Sequence, residues 1–415
     1  MTDLKVKASS PRGIKECRVC RGSNLFEILD LGEQPLPAEY GLTSQTILDE
    51  FPLKLSICKD CGLGQLGEYV LPERIFHEKY PYISSASSTW LNHAKKYASK
   101  MSKELSLNEN SFVIELASND GCVLNEFRKL GSKVLGVEPA LNIAKLANKS
   151  GIETISEFFG ESLAQNILEK YGSPNLIAAN NVFAHVPNMH DFTKGMSILA
   201  NNKTVITIEN PSFINLLNEN LFDTIYHEHY SYLTAHSVKA IANQYGLELF
   251  HVEKLPTHGG SNRYFLSKSK EMDNCVLDLL KEEKEKGLFS SDEWVDFKIR
   301  AQNSIIGLRE WLLERKINGD VVAGYGAAHK GNTFLNSVGE LSKTLVYVVD
   351  ASPEKQGKFL PGSQVEVLAP NQLASKKPTD ILILPWNISK EIAKNIRNFT
   401  PNARIWVAHP EMRQL

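Results

Sequence analysis

Residues 222–233 read Phe-Asp-Thr-Ile-Tyr-His-Glu-His-Tyr-Ser-Tyr-Leu, so seven positions from Tyr226 to Tyr232 hold two histidines, a carboxylate and three tyrosines. A histidine titrates near neutral pH and can take a proton from a substrate, and a nearby carboxylate can orient its ring. One of the two histidines with Glu228 beside it would make such a base–orienter pair. A metal site from this run alone is weakly indicated: the histidines are two apart, sharing a face on a strand but diverging by about 200° on a helix. The competing reading is a polar, aromatic-rich segment at a domain junction.

Four of the six cysteines fall in two tight pairs, Cys17-x-x-Cys20 and Cys58-x-x-Cys61, while Cys122 and Cys275 stand alone. Each Cys-x-x-Cys turn aims two sulfurs to one side, and two such turns make a tetrahedral four-sulfur site suited to Zn²⁺. The 37 residues between the pairs leave room for a small fold punctuated by Gly32, Pro35 and Pro37. A redox dithiol is disfavoured because neither pair opens a helix after a strand. Disulfides are disfavoured by the cytosolic character of the chain. A closed four-sulfur site staples a small domain and leaves no position open for chemistry.

The elements that must position the histidine segment read as α/β. SFVIELAS, SKVLGVEP, NLIAANNVF and KTVITIEN are short apolar runs separated by the helical patterns CVLNEFRKLG, ALNIAKLANKSG and ESLAQNILEKYG. That order predicts a doubly wound parallel sheet. The first run ends in Glu115 and a turn of Ser118, Asn119, Asp120 and Gly121; the second ends in Glu138, 23 residues after Glu115. This pattern fits S-adenosyl-L-methionine (AdoMet). The small turn lets backbone approach the methionine part, and Glu138 accepts the ribose hydroxyls. Asn180, Asn181 and His185 follow the third run, where such a fold places adenine and substrate contacts. A dinucleotide is the competitor, but G-x-G-x-x-G is missing here. The bland readings are a surface carboxylate at Glu138, a simple turn at Ser118 and Asn119, and a helix-start histidine at His185.

A charged helical stretch over about 273–318 precedes Gly324-Tyr325-Gly326-Ala-Ala-His329-Lys330-Gly331, and LVYVVDAS, DILILPWN and RIWVAHP follow. This predicts a second, Rossmann-like unit. His329 replaces the third glycine of G-x-G-x-x-G, and Asp350 lies 24 residues after Gly326, where a dinucleotide-binding strand would end in an acid. Lys330 and the loop amides suit a diphosphate. A nicotinamide dinucleotide, and hence an oxidoreductase, is the alternative; a loop that merely packs is the third reading.

The chain has 415 residues with 46 Lys plus Arg against 48 Asp plus Glu, a net charge of −2, with 42% hydrophobic and 23% charged residues. That length suggests roughly two to three domains of ordinary globular composition. The near-neutral balance argues against a nucleic-acid or anionic-membrane partner. No stretch reaches about 18 consecutive apolar residues, and MTDLKVKASSPRGIKEC has no apolar leader segment, so a cytoplasmic location is expected.

Six marks in order carry a resemblance along nearly the whole chain: C-x-x-C…LGEQPLP…C-x-x-CGLGQL, YPYISSASSTW, ELASNDGCVL, YHEHYSYL, HGGSNR and GYGAAHKGNTFLN. Together they resemble the zinc-containing, AdoMet-dependent sugar C-methyltransferases that act on nucleotide-linked 4-keto deoxysugars. The resemblance implies a zinc-binding domain over 1–72, a class I methyltransferase domain over 73–272 and a Rossmann-like sugar-nucleotide domain over 273–415. It implies His229 as the base that removes the C3 proton of a dTDP- or GDP-linked 4-keto-6-deoxysugar. Tyr226, Glu228, His185 and Tyr80 share that active site; Tyr82 lies two residues from Tyr80 and competes for its place. Tyr82, His258, Arg263, Tyr325 and Lys330 are then expected to contact the sugar nucleotide, although His258 and Arg263 equally suit an ordinary turn into a strand. A monomer is implied. A zinc scaffold that binds sugar nucleotides without catalysis is a further alternative.

Overall fold

A computed structural model of the chain describes residues 12–13, 15–78 and 80–415. The N-terminal module is an antiparallel sheet of β1 (Leu25–Pro35), β2 (Glu50–Cys58) and β3 (Gly64–Leu66). In β2 the residues Phe51, Leu53, Leu55 and Ile57 alternate into the interior, the period of a strand with one covered face. The fourth strand of this sheet is supplied by residues 231–232, from the histidine segment.

The middle domain begins with α1 (Ser88–Glu104), whose start is capped by the Ser87 side chain accepting from the Trp90 amide. There follow β4 (Phe112–Leu116), α2 (Cys122–Lys129), β5 (Lys133–Val137), α3 (Leu141–Lys149), β6 (Thr154–Ile155), α4 (Glu161–Tyr171), β7 (Leu176–Asn180), α5 (Met189–Leu199) and β8 (Val205–Pro211). After the short β9 (Ser231–Tyr232) come α6 (Ala235–Asn243), β10 (Glu248–Leu255) and β11 (Ser261–Ser267). The sheet order is β10-β11-β8-β7-β4-β5-β6, parallel except at β10 and β11. Both faces are covered, so β7 is buried over Leu176–Ala179 without alternation, as its apolar run predicts.

The C-terminal unit starts with α7 (Asn274–Glu285) and the 28-residue α8 (Ser291–Asn318), capped by Ser290 at one end and closed by left-handed Gly319 at the other. It continues as β12 (Val322–Tyr325), α9 (His329–Ser337), β13 (Leu345–Val349), β14 (Val367–Leu368), β15 (Asp380–Ile383), α10 (Ser389–Phe399), β16 (Arg404–Val407) and β17 (Arg413–Gln414). Its order, β14-β13-β12-β15-β16-β17, repeats the winding of the middle sheet, again with an antiparallel edge. The three-domain α/β reading is thus met.

One apolar cluster runs from Leu53 and Ile57 of the zinc-side sheet through Phe213 and Phe222 to Phe334 and Val348 of the C-terminal unit. The segment carrying the histidines therefore lies in a core shared between modules. No helix among the described residues is long and apolar enough to cross a membrane.

Candidate active site where three modules meet

The four cysteine sulfurs lie within 4.8 Å of one another, with 3.5 Å between Cys17 and Cys61 and between Cys20 and Cys58. Sulfurs about 2.3 Å from one tetrahedral centre would stand about 3.8 Å apart, so the set fits Zn²⁺. Each pair is followed by a left-handed residue, Arg21 (φ 59°) and Gly62 (φ 72°), whose amides donate back to Cys17 and Cys58. The two turns are therefore built alike. The knuckle also grips the histidine segment. Arg18 donates to the carbonyl of Tyr230 at 2.7 Å, and β9 pairs with β3 through Ser231 opposite Gln65. The zinc module thus fixes the backbone next to His229.

The candidate cofactor site lies at the ends of β4, β5 and β7. Three residues other than glycine take left-handed φ there, Ala117 (54°), Asn119 (50°) and Asn181 (51°), together with Gly121 (76°). Such conformations are costly for residues with a Cβ and persist where the surroundings hold them. Glu138 accepts the amides of Asn119 (3.0 Å) and Ala140 (2.9 Å), which ties the strand-end carboxylate to the turn. Glu115 Oε1 accepts from Asn180 Nδ2 at 3.1 Å, and burial pushes this carboxyl up to about 8. Around it Glu115 Oε2, Ser118 Oγ, Asn180 Oδ1 and Asn181 Oδ1 are buried with no partner in the protein. Buried polar atoms without partners are expensive, and their grouping here fits a polar ligand such as AdoMet. Asn119 also holds the Tyr80–Ala86 segment, accepting from the Ser84 amide (2.8 Å) and donating to the Tyr82 carbonyl (3.2 Å). Asn142 donates to the Tyr80 carbonyl at 2.9 Å. Asn119 and Asn142 therefore hold the stretch of chain that carries both tyrosines.

The histidine segment is neither strand nor helix at its centre. A turn closed by the His229 amide on the Tyr226 carbonyl (2.9 Å) sends His227 and His229 apart. His227 hydrogen-bonds the Phe51 carbonyl inside the zinc-side sheet, and no metal cluster among the described residues includes either histidine. His229 Nδ1 meets the Thr224 carbonyl at 3.0 Å; with the proton on Nδ1, Nε2 is the basic nitrogen. Its ring lies 4.1 Å from Tyr226 and 4.8 Å from His185, centroid to centroid. His185 Nδ1 meets the Glu228 carbonyl at 2.8 Å, and burial pushes its ring down to about 4. Tyr80 stacks near Phe76, which in turn meets His185. Burial and the charges of Glu228 and Tyr226 hold the Tyr80 phenol well above its usual range. Burial and then Glu228 do the same to Tyr226. The structure thus brings His229, Tyr226, Glu228, His185 and Tyr80 together. Tyr80 meets Phe76 beside His185, while Tyr82 is 49% exposed but close enough to act electrostatically on both Tyr226 and Tyr80.

The sugar-nucleotide expectations fare differently. Arg263 lies in β11, 3% exposed, and donates to Glu209 and Glu253 on the strands to either side. Its face also lies over Tyr97 at 4.3 Å. Both of its terminal nitrogens pair with carboxylates, while its buried Nε has no partner in the protein, so it is chiefly an internal ion-pair residue of the middle sheet. Tyr325 packs with Ile383, Ile392 and Val407 in a core cluster of the C-terminal sheet. The side chain of His258 lies outside the described residues. Lys330 hydrogen-bonds Asn387 and sits 4.6 Å over the Trp386 ring, whose indole donates to Asp223 at 2.6 Å. Burial lowers the Lys330 pKa, and Asp223 opposes that shift.

The glycine loop after β12 is spent internally. The Gly326 amide donates to Val349, and the Ala327 amide to Asp350 Oδ2 at 2.7 Å. Lys355 Nζ and Tyr40 both donate to the Ala327 carbonyl, at 2.8 and 2.7 Å, and Lys355 lies 3.5 Å from Asp350. A Cβ on Gly326 would stand 2.4 Å from Pro385. Two loop amides are thus unavailable to a diphosphate, and the acid that would take a dinucleotide ribose has a lysine on it. In the sequence His329 stands only as a substitution for the third glycine of the loop. The structure sets its Nδ1 3.7 Å from Glu228 Oε1.

Three stretches match known families: a zinc binding domain over residues 17–76, a methyltransferase domain over 90–252 and the C-methyltransferase C-terminal domain over 256–409. The chain is 32% identical over 411 residues to the C-methyltransferase NovU of Streptomyces niveus, covering 97% of each. Among solved structures, the magnesium protoporphyrin IX methyltransferase of Synechocystis with bound SAH is 11% identical at a TM-score of 0.35, over 43% of this chain and 83% of that one. An S-adenosylmethionine-dependent methyltransferase of Clostridium acetobutylicum is 11% identical at 0.35, over 43% and 92%. The middle domain is an AdoMet-binding methyltransferase fold, and the four cysteines are its neighbour's zinc site. The nicotinamide oxidoreductase alternative is set aside: the relative is a C-methyltransferase, and the loop that would have held the dinucleotide is filled by Lys355 and Tyr40.

Proposed function

This chain belongs to the C-methyltransferase family, and on that premise we propose that it methylates C3 of a nucleoside-diphosphate-linked 4-keto-6-deoxysugar in the cytoplasm. The carrying observation is His229. Its Nδ1 meets the Thr224 carbonyl, which makes Nε2 the basic nitrogen, and its ring lies against those of Tyr226 and His185. A ketone at C4 acidifies the proton on C3, and an imidazole nitrogen placed beside it is suited to take it. His229 Nε2 receives the proton, and negative charge moves to the C4 oxygen.

Tyr80 and Tyr226 are held protonated by burial and by Glu228, so they remain hydrogen-bond donors throughout the working pH range. A well-placed donor to such an oxyanion contributes about 2.7–4 kcal/mol in other enzymes. His185, neutral and donating from Nδ1 to the Glu228 carbonyl, presents an acceptor to the pocket and orients substrate hydroxyls rather than the oxyanion. Glu115, Ser118, Asn119, Gly121, Glu138, Asn180 and Asn181 would hold AdoMet, which when bound supplies the electrophilic methyl group. The Asn119 and Asn142 contacts to the Tyr80–Ala86 segment keep cofactor and acceptor sites in one register, and fixed positioning supplies much of the rate.

The test is mass spectrometry of the protein incubated with AdoMet and dTDP- and GDP-linked 4-keto-6-deoxysugars. A product heavier by one methylene, with S-adenosylhomocysteine released, is expected. AdoMet binding with no methylated sugar from either series would overturn the acceptor class.

A further inference from the structure

The C-terminal unit sends one titratable side chain into the site, and nothing in the mechanism above uses it. His329 is the first residue of α9, and its Nδ1 lies 3.7 Å from Glu228 Oε1. That oxygen is buried and has no hydrogen-bond partner in the protein. The His329 ring also stands edge-on to Tyr226, 5.7 Å between centroids.

The placement is rigidly built. Thr333 of α9 donates to the Ile225 carbonyl at 3.2 Å, and Phe334 meets Phe222 edge to face at 4.9 Å. Asn332 donates to the Pro37 carbonyl at 3.2 Å. Helix α9 is therefore clamped to the same segment that carries Tyr226, Glu228 and His229. On the other side of His329, the Ala327 carbonyl is held by Tyr40 and Lys355. Every one of these contacts fixes a neighbour of His329 and leaves the ring itself to face Glu228.

We propose that His329 is a positioning residue for methyl transfer: its Nδ1–H closes on Glu228 Oε1 and holds that carboxyl group against Tyr80 and Tyr226. The proposal rests on the methyl-transfer reading for its kinetic consequence, though not for the pairing itself. The groups facing Glu228 are His329 from the C-terminal unit, Tyr226 from its own segment, Tyr80 and Tyr40. Those facing His329 are Glu228, Tyr226, Lys355 and His185. Burial pushes Glu228 up to about 7; it pushes His329 down to about 3, helped by Lys355 and His185. The pair therefore meets as a neutral imidazole donor and a carboxyl group near its midpoint at working pH. A donor on that oxygen favours the ionised carboxylate, so removing it moves the titration of Glu228 upward.

Two variants separate positioning from mere packing. His329→Ala removes the donor; His329→Asn keeps an N–H near the position of Nδ1. The first readout is the carboxyl ¹³C titration of Glu228 in the full chain without substrate, assigned with Glu228→Gln. His329→Ala should raise the midpoint by about one pH unit, and His329→Asn should hold it near the wild-type value. The second readout is turnover with AdoMet and the sugar nucleotide. His329→Ala should lower kcat by about 10–100-fold with KM for the sugar changed less than about threefold, and His329→Asn should recover most of it. A Glu228 titration that is the same in all three proteins overturns the proposal. So does a wild-type kcat in His329→Ala. A shifted titration in a protein that methylates no sugar would uphold the pairing and sink the methyl-transfer reading.

Discussion

The middle and C-terminal sheets wind in the same order, and each ends its second strand in an acid with the same two backbone partners. Glu138 accepts the amide of the turn after the first strand (Asn119) and the amide two residues on (Ala140). Asp350 accepts Ala327 and Ser352 in the same way, at 2.7 and 2.8 Å. What differs is the surroundings. Beside Glu138 lie buried oxygens of Glu115, Ser118, Asn180 and Asn181 without partners. Beside Asp350 lie Lys355 and the Tyr40 hydroxyl, both already bonded to the loop. The same winding thus serves two ends. One copy keeps polar groups for a ligand, and the other uses its loop as a bracket that carries His329 to the histidine segment. A carboxylate at a strand end is not by itself a nucleotide site; what else touches it decides.

The sharpest way to break this comparison is to remove each acid. Glu138→Ala should weaken AdoMet binding at least about 100-fold, roughly 2.7 kcal/mol, whereas Asp350→Ala should leave it within about twofold by calorimetry. Equal losses would mean that the two cradles are not distinct.

Next in size is the effect of pH on the protein without cofactor. Glu115 has a folded pKa of about 8, raised above its unfolded value by burial. Its contribution to stability is therefore full below the unfolded pKa of about 4.3 and lost as pH rises through about 8. Glu115→Gln removes that loss, worth on the order of 2–4 kcal/mol, so the variant's Tm should fall less between pH 5 and 8.5 than the wild type's, Glu228 still titrating in both. Parallel melting curves would contradict the burial argument.

Smaller effects are expected on the C-terminal side. Gly326 has φ +91° and a built Cβ would stand 2.4 Å from Pro385, so Gly326→Ala should lower unfolding stability by about 1–3 kcal/mol in urea. Because α9 follows this loop, methyl transfer should fall with it even though AdoMet binding holds. Lys355→Met, at the small end, should cost no more than about 1 kcal/mol, the scale of a part-exposed ion pair. It should create no affinity for NAD, since Asp350 and the loop amides stay engaged with one another. NAD binding by that variant would show that Lys355 alone closes the site.

The local patterns in the sequence carried much of this. The spacing of the cysteines announced the zinc site, and the apolar runs announced the strands of both sheets. The turn after Glu115 and the acid at Glu138 marked two of the groups that the structure ties together at the strand ends. The long-range pairings were not legible. Arg263 reads as an open cation because its partner Glu209 is 54 positions away on a strand whose register no local pattern sets. The histidine segment gave no hint that Ser231 and Tyr232 would extend the zinc-side sheet. His329 looked like a mere replacement of glycine until α9 was seen clamped against Ile225 and Phe222. Tyr80 and Tyr82 share a sequence context, and only the structure shows that the Phe76 ring meets Tyr80 while Tyr82 also lies near Tyr226.

The most direct test follows the C3 proton itself. A 4-keto-6-deoxysugar nucleotide is incubated in D₂O with the protein and S-adenosylhomocysteine, so that no methyl group is consumed, and proton NMR follows C3. Wild-type protein should wash the C3 proton into solvent. His229→Ala should not, while binding S-adenosylhomocysteine with unchanged affinity. Undiminished exchange in His229→Ala would contradict the assignment of His229 as the base.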